Sequence, residues 1–268
     1  MRRLDALALP LAIAVGASCR DREGADGAAK GDAPPMASTL PAASPSVALT
    51  LAPPLVDPTT SRLAPPVAAY AGPCPGDMAQ AGAYCVDRYE APNAPNEYPL
   101  VMESAVTAEK WCADRGKRLC SEDEWERACA GPQRFAYPYG NTYEDARCAD
   151  EKTWILKDEP TITMWPDKPA MGEVTRLYQA DKSGTRARCV SGYGAFDMTG
   201  NVEEWVVAKV VKGKPRGQYA HVLKGCYWSG CYGGSKPTCT STNAAHADTF
   251  KFYETGFRCC RDTRASAP

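Results

Sequence analysis

The chain has 268 residues, with 31 Lys and Arg against 32 Asp and Glu, and a formal net charge of −1. Because charges of both signs are interspersed, no basic stripe is available to neutralise the phosphates of a nucleic acid, and we set nucleic-acid binding aside. The first quarter of the chain cannot contribute a packed core, so the length favours one globular domain.

Residues 1–19 have the pattern of an export signal. An apolar run from Ala6 to Val15 follows two arginines and is too short to span a bilayer. Small residues precede Cys19, which is typical of a bacterial lipoprotein cleavage site where that cysteine is lipidated. Gly16 stands where a bulkier aliphatic residue is usual, so plain secretion is the alternative.

Residues 20–72 are dominated by Ala, Pro, Ser and Gly. Such a segment buries too little apolar surface to offset the entropy of ordering it, and its prolines favour extended conformations. We predict a disordered linker that holds the following domain away from a membrane. A disordered pro-segment is the alternative.

The cysteines indicate an oxidising compartment. Thirteen are present, and twelve remain after Cys19, all between Cys74 and Cys260. No Cys-x-x-Cys pair suggests zinc, and a cytosolic protein would keep so many thiols reduced. We expect up to six disulfides.

Two helices and one strand are predicted early in the domain. Residues 84–90 alternate between apolar and polar as a strand does. Thr107 is placed to cap a helix that runs to Arg115, where Gly116 provides the stop.

The second helix begins at a capping box formed by Ser121 and Glu124 and runs to about Ala130. Its spacing places Trp125, Ala128 and Cys129 on one inner face. Residues 131–221 then lack helical or strand periodicity, apart from a short candidate strand, Val202–Val211. A coil of that length needs cross-links or ions to hold it.

Five motifs occur in the order typical of one known family. They are GKRLCSEDEWE (116–126), YPYGN (137–141), GAFDMTGNVEEW (194–205), KGCYW (224–228) and GFRC (256–259). The set resembles the formylglycine-generating enzyme family, also called the sulfatase-modifying factor family, whose motifs read GKRLPTEAEWE, YPWGN, GLYDMTGNVWEW, RGGSW and GFRC. Several ordered motifs make a chance match very improbable.

The resemblance implies an α+β, C-type-lectin-like fold that is low in regular secondary structure and disulfide-rich, over residues 73–264. Two structural disulfides of the family transfer to this chain as Cys112–Cys259 and Cys129–Cys239. The remaining cysteines allow many pairings. Our choice among them is Cys74–Cys85, Cys120–Cys260, Cys148–Cys189 and Cys226–Cys231.

The resemblance also implies a calcium ion on the turn of residues 194–205. The equivalent ligands are the side chains of Asp197 and Glu204 and the carbonyls of Gly200 and Val202, a mixed oxygen set that suits Ca²⁺. The alternative is that Asp197 merely caps the turn and Glu204 is solvated.

The family's enzymes bind Cu(I) through two cysteines spaced Cys-x4-Cys shortly after the RGGSW motif, since soft thiolates select this ion. Here Cys226 and Cys231 have that spacing but lie about five residues early. They are a shifted copper site with catalytic cysteines, or the sixth disulfide. We prefer the disulfide, because a close pair in an oxidising compartment becomes oxidised.

Two functions follow. The first is a monomeric, non-catalytic module on a bacterial cell envelope, which holds a peptide, a glycan or another exported protein in a groove around Trp205, Trp228, Tyr232 and Asn201. The second is a copper-dependent oxidase that converts a cysteine of an exported sulfatase-like protein to formylglycine. The state of Cys226 and Cys231 discriminates between them.

Overall fold

The structure, a computed structural model, describes residues 72–263. Its helices are α1 (Ala105–Ala113), α2 (Glu122–Ala130), α3 (Glu159–Ile162) and α4 (Lys168–Leu177). Its strands are β1 (Met78–Gln80), β2 (Tyr84–Asp87), β3 (Arg118–Leu119), β4 (Glu203–Val207), β5 (Val210–Val211), β6 (Lys214–Pro215), β7 (His221–Lys224), β8 (Thr242–Asn243), β9 (Thr255–Phe257) and β10 (Cys259–Asp262). The export signal, the lipidation at Cys19 and the linker up to residue 71 lie outside the described residues.

Two four-stranded sheets form the frame of the described domain. The first has the order β1-β2-β10-β3, and the second has the order β8-β7-β4-β9. All pairs in them are antiparallel except β4 with β9. Because β10 lies between β2 and β3, the end of the domain is paired with its beginning. Strands β5 and β6 form a separate hairpin.

The N-cap of helix α1 lies three residues earlier than the sequence suggests. Its N-cap is Ser104, whose side chain accepts the backbone N–H of Thr107, while the Thr107 hydroxyl accepts the N–H of Ser104 at 2.9 Å. The prediction that Thr107 is the cap is therefore wrong, because this threonine is the second member of a capping box. The helix ends at Ala113, and Gly116 follows in the left-handed region with φ 64°.

Helix α2 matches the prediction from its capping box. The Ser121 hydroxyl accepts the N–H of Glu124, and the Glu124 carboxylate accepts the N–H of Ser121 at 2.9 Å. Trp125, Ala128 and Cys129 are buried on one face. The residues that start this helix and the residues that pack it are thus legible in the sequence.

Two predictions for the long coil region need correction. Residues 168–177 form α4, with Ala170, Val174 and Leu177 buried at helical spacing. The Pro and Gly in its sequence obscured this pattern, although proline is tolerated in a helix's first turn. The candidate strand Val202–Val211 divides into β4 and β5, because the chain leaves the second sheet after Val207.

The twelve cysteines of the domain form six disulfides, and the pairs are those that the sequence analysis selected. They are Cys74–Cys85, Cys112–Cys259, Cys120–Cys260, Cys129–Cys239, Cys148–Cys189 and Cys226–Cys231. Three of them connect residues more than one hundred positions apart. With so little sheet or helix, these bridges fix the coils relative to one another.

The stabilisation by each disulfide should follow the length of the loop that it closes. Replacing Cys148 and Cys189 by alanine opens a separation of 41 residues that no other disulfide shortens, and it should lower the free energy of unfolding by about 4 kcal/mol. The same change at Cys74 and Cys85, separated by 11 residues, should cost about 3 kcal/mol. Urea denaturation of the two variants measures this difference, and equal losses would contradict the loop-closure argument.

Candidate functional site

The turn of residues 194–205 has a tightly constrained backbone. Asp197, Gly200 and Asn201 all have positive φ, at 55°, 76° and 59°. A Cβ at Gly200 would lie 2.3 Å from the carbonyl oxygen of Ala149, so only glycine fits there. The turn leads directly into β4 and therefore places the side chains of Glu203, Glu204 and Trp205 in the interior.

Glu204 forms a buried ion pair with Arg258 of the GFRC motif. The guanidinium donates to both carboxylate oxygens at 2.7 Å, and the indole N–H of Trp125 adds a bond of 2.8 Å. Arg258 also donates to the carbonyl of Phe196 at 2.9 Å. Three sequence motifs thus meet at one bidentate contact, which is a strong and directional form of hydrogen bonding.

Two further carboxyl groups lie buried near this ion pair. Glu90 accepts from Asn201 at 2.9 Å and from Ser183 at 2.8 Å, and burial raises its pKa well above the ordinary value. Burial also raises the pKa of Asp197 to about 6, against the N–H of Gly184, which donates at 2.7 Å. Three acids therefore share the field of one arginine, Arg258.

These residues fit a hard cation in their chemistry, with one reservation about Glu204. Asp197 supplies a carboxylate, and Gly200 and Val202 supply carbonyls on the same turn, while the excess of buried acid favours a positive ion. Glu204, however, is already engaged by Arg258 and Trp125. In residues 72–263 no group of three Cys, His, Asp or Glu side chains is arranged to hold a metal, so backbone carbonyls would have to complete the ligand set.

The predicted groove residues do not form one open surface. Trp205 and Trp228 are almost fully buried, and the indole N–H of Trp205 donates to the carbonyl of Glu103 at 2.9 Å. Asn201 is buried against Glu90. Of the four, only Tyr232 is exposed, at 57%. The prediction that the two tryptophans line a groove is therefore corrected, because both belong to the core.

A cavity of about 760 Å³ opens beside Tyr232 instead. It is lined by Glu203, the disulfide partners Cys226 and Cys231, Tyr232, Asn243 and Phe252, among others. Its volume lies within the range typical of ligand-binding pockets. The cavity brings together two of the residues predicted for catalysis and one predicted for binding.

Glu203 and Glu254 give this region an unusual electrostatic character. Burial, together with the charge of the nearby Glu254, raises the pKa of Glu203 to about 8. Burial likewise raises the pKa of Glu254 to about 7. The hydroxyl of Tyr232 donates to one oxygen of Glu254, and the other oxygen has no hydrogen-bond partner in the described structure. Neither glutamate was predicted to belong to a site.

The sequence did contain a signal for Glu203. It occupies the position of the first tryptophan in the family motif GNVWEW, where this chain reads GNVEEW. A carboxyl group in place of a large aromatic ring shortens the side chain and adds charge to a buried strand. Nothing comparable in the sequence marks Glu254, whose role depends on its neighbours Tyr232 and Tyr253.

Cys226 and Cys231 are joined by a disulfide at the wall of the cavity, with their Cα atoms 4.9 Å apart. The pair that would supply thiolates to copper is therefore oxidised. Since all other cysteines between Cys74 and Cys260 are also paired, the described residues contain no thiolate pair for Cu(I).

The fold and site together define a disulfide-linked α+β domain with a cavity beside the KGCYW segment. Comparison with known families shows that the chain belongs to the sulfatase-modifying factor family, since residues 78–263 match the "Sulfatase-modifying factor enzyme 1-like domain". This membership agrees with the C-type-lectin-like fold expected from the motifs.

Two relatives and one solved structure are similar to this chain. "Inactive C-alpha-formylglycine-generating enzyme 2" of Mus musculus is 31% identical over 141 residues, which cover 52% of this chain and 40% of the relative. "Formylglycine-generating enzyme" of Thermomonospora curvata is 26% identical, over 69% of this chain and 63% of the relative. The solved structure of PvdO from Pseudomonas aeruginosa is 16% identical with a TM-score of 0.44, over 67% and 80% of the two chains. The chain thus spans less than two thirds of the length of these curated relatives.

Glu203 should make stability depend on pH. Its folded pKa, about 8, lies above the ordinary 4.5, so its contribution is complete below pH 4.5 and is lost as pH rises through 8. Glu203→Gln keeps the neutral shape and should gain stability relative to the parent by a few kcal/mol as pH rises from about 5 to about 9.

Chemical denaturation at a series of pH values measures this effect. Glu97→Gln, at an exposed position, is the control for loss of one glutamate charge. If the parent and Glu203→Gln differ by the same amount at every pH, Glu203 is not a protonated buried acid.

Proposed function

We propose that this protein is a non-catalytic member of its family and that it binds a peptide, a glycan or another exported protein through the cavity beside Tyr232. The observation that carries the proposal is the Cys226–Cys231 disulfide. A bridged pair cannot offer thiolates to Cu(I), and copper is what the resemblance assigns to the family's enzymes. The cavity, in contrast, has the size and mixed lining of a binding pocket.

The similarity to two mammalian proteins named as inactive supports this proposal. They are "Inactive C-alpha-formylglycine-generating enzyme 2" of mouse and of cattle, at 31% and 30% identity over 141 residues each. Their coverage is partial, at 52% of this chain in each case, and the name describes those proteins. It agrees with the disulfide, which was observed independently of it.

The second candidate is a copper-dependent oxidase that makes formylglycine from a cysteine of an exported sulfatase-like protein. The Cys-x4-Cys spacing of Cys226 and Cys231 favours it, as does their position at the cavity wall. In this case the disulfide would be an oxidised resting form, and reduction would be required before copper could bind.

The six disulfides indicate a secreted or extracellular location, and no helix within residues 72–263 is long and apolar enough to cross a membrane. We further propose that the protein is a monomer held at a bacterial cell envelope by lipid on Cys19, since the sequence around this cysteine resembles a lipoprotein cleavage site.

We also propose that Asp197, Gly200, Val202 and Glu204 contribute oxygens to a structural Ca²⁺. The excess of buried carboxylates around Arg258 supports a bound cation, which would lower the pKa values that burial has raised in Glu90 and Asp197.

Calcium should raise the melting temperature of the purified protein, and Asp197→Asn should remove most of that rise because it withdraws the carboxylate oxygen that is free of Arg258. The measurement is thermal unfolding with added calcium or a chelator. Asp145→Asn changes an exposed acid in the same way and should leave the response intact. A melting temperature insensitive to calcium would refute the metal site.

Alkylation of the unreduced, denatured protein, followed by mass spectrometry, tests the principal proposal. We expect no labelled cysteine from Cys74 to Cys260, no stoichiometric copper binding, and no oxygen consumption with a Cys-x-Pro-x-Arg peptide. Free thiols at Cys226 and Cys231, together with copper-dependent oxygen uptake, would establish the oxidase instead.

A further inference from the structure

Three buried acids elsewhere in the described domain are each matched by a nearby cation. Asp87 lies 2.5 Å from the ammonium group of Lys117, Glu122 lies 3.6 Å from that of Lys224, and Glu204 is paired with Arg258. Such pairing offsets the high cost of removing a carboxylate from water. These three pairs can be compared with the acids at the cavity.

Glu203 and Glu254 have no such ion pair. Their side chains are 3% and 1% exposed, and neither takes part in an ion pair within residues 72–263. Glu203 has only a long hydrogen bond of 3.4 Å from the amide of Asn243. One oxygen of Glu254 has no partner. The two acids also raise each other's energy when charged. The cation that acts on Glu254 is Lys157, whose ammonium group forms its ion pair with Glu159 instead, at 3.1 Å.

Both acids can be reached from the cavity. Glu203 lines the cavity directly, and Tyr232 lines it while its hydroxyl donates to Glu254. A positive group that entered beside Tyr232 would thus meet one carboxyl group immediately and the second behind a single side chain. The acids and the opening belong to the same site.

Aromatic rings form the opposite part of the wall. Phe250, Phe252 and the ring of His246 line the cavity, and His246 stacks on Phe250 with centroids 3.8 Å apart. The ammonium group of Lys157 already lies 4.8 Å from the centroid of Phe252, which shows that this face accepts a cation. Lys157 is itself paired with Glu159 at 3.1 Å.

The chemistry of the wall favours an organic cation over a metal ion. Calcium requires six to eight oxygens, whereas two carboxylates line the cavity, those of the buried Glu203 and the exposed Glu159. No group of three metal-ligating side chains occurs in the described part of the chain. Carboxylates combined with aromatic faces are suited to an alkylammonium or guanidinium group.

We propose that the cavity binds the cationic side chain of a lysine or arginine presented by a partner protein, with Glu203 as its counter-ion and the aromatic wall against its alkyl stem. The proposal rests on the binding function given above and specifies the class of its ligand. The cavity volume, about 760 Å³, exceeds the needs of one amine and leaves room for the partner's flanking residues.

The test is isothermal titration of the full chain with four blocked tripeptides, Ala-X-Ala, in which X is lysine, arginine, norleucine or citrulline. We expect lysine or arginine to bind at least about tenfold more tightly than its neutral counterpart. Equal binding of charged and neutral peptides would overturn the proposal.

Glu203→Gln should weaken binding of the cationic peptide by at least about tenfold. This variant is expected to fold at neutral pH, since it removes a buried acid, and circular dichroism checks that it does. Glu97→Gln, at an exposed position, should bind as the parent does. An unchanged affinity in folded Glu203→Gln would refute the role of Glu203.

Two further ligands separate the alternatives. If butylammonium binds as tightly as the lysine peptide, or if a neutral disaccharide displaces that peptide, the assignment to a partner protein's side chain is wrong. The thiol and copper measurements are independent of these titrations. A catalytic protein would be recognised by oxygen uptake, and a non-catalytic protein that ignores cationic peptides would contradict this inference alone.

Discussion

Three consecutive residues, Arg258, Cys259 and Cys260, hold the domain together. Neighbouring residues on a strand point to opposite faces, so the two cysteines reach different cores, one to Cys112 and the other to Cys120. Arg258 meets Glu204 at the start of β4. One short segment near the end of the chain therefore connects both sheets and helix α1 covalently or by charge, which explains how so few strands maintain a defined shape.

The same domain treats buried charge in two distinct ways. Three buried carboxylates form ion pairs with Lys117, Lys224 and Arg258, and leaving any of those cations without its partner would be costly. At the cavity, Glu203 and Glu254 have no such partner, and burial raises their pKa values. The paired acids therefore stabilise the fold, whereas Glu203 and Glu254 are acids whose charged forms a bound cation would stabilise.

Much of the frame could be predicted from the sequence, because its determinants are local. The capping box marked the start of α2, the order of the five motifs identified the fold, and the family resemblance gave two of the six disulfide pairs, Cys112–Cys259 and Cys129–Cys239. Helix α4 was missed, since proline and glycine interrupt its pattern, although Val174 and Leu177 are buried at helical spacing.

The cavity was harder to predict because its character depends on burial. Strand β4 lies between β7 and β9, and both of its faces are covered, so Glu203 and Trp205 are buried against the usual preference of glutamate for the surface. Aromatic residues in a motif suggested a groove, yet Trp205 and Trp228 fill the core. A sequence does not state on which side of a wall a tryptophan lies.

The Cys226–Cys231 bridge spans only five positions, and it adjoins the cavity. Loop closure predicts that so short a bridge contributes only about 2 kcal/mol, about half of what Cys148–Cys189 contributes with its separation of 41 residues. Opening this bridge would leave the rest of the fold in place and would make the adjoining wall of the cavity more mobile. Protein treated with and without a mild reductant would then have the same fold but a different shape at the opening of the cavity. Melting curves register such a difference poorly, whereas ligand titration registers it well.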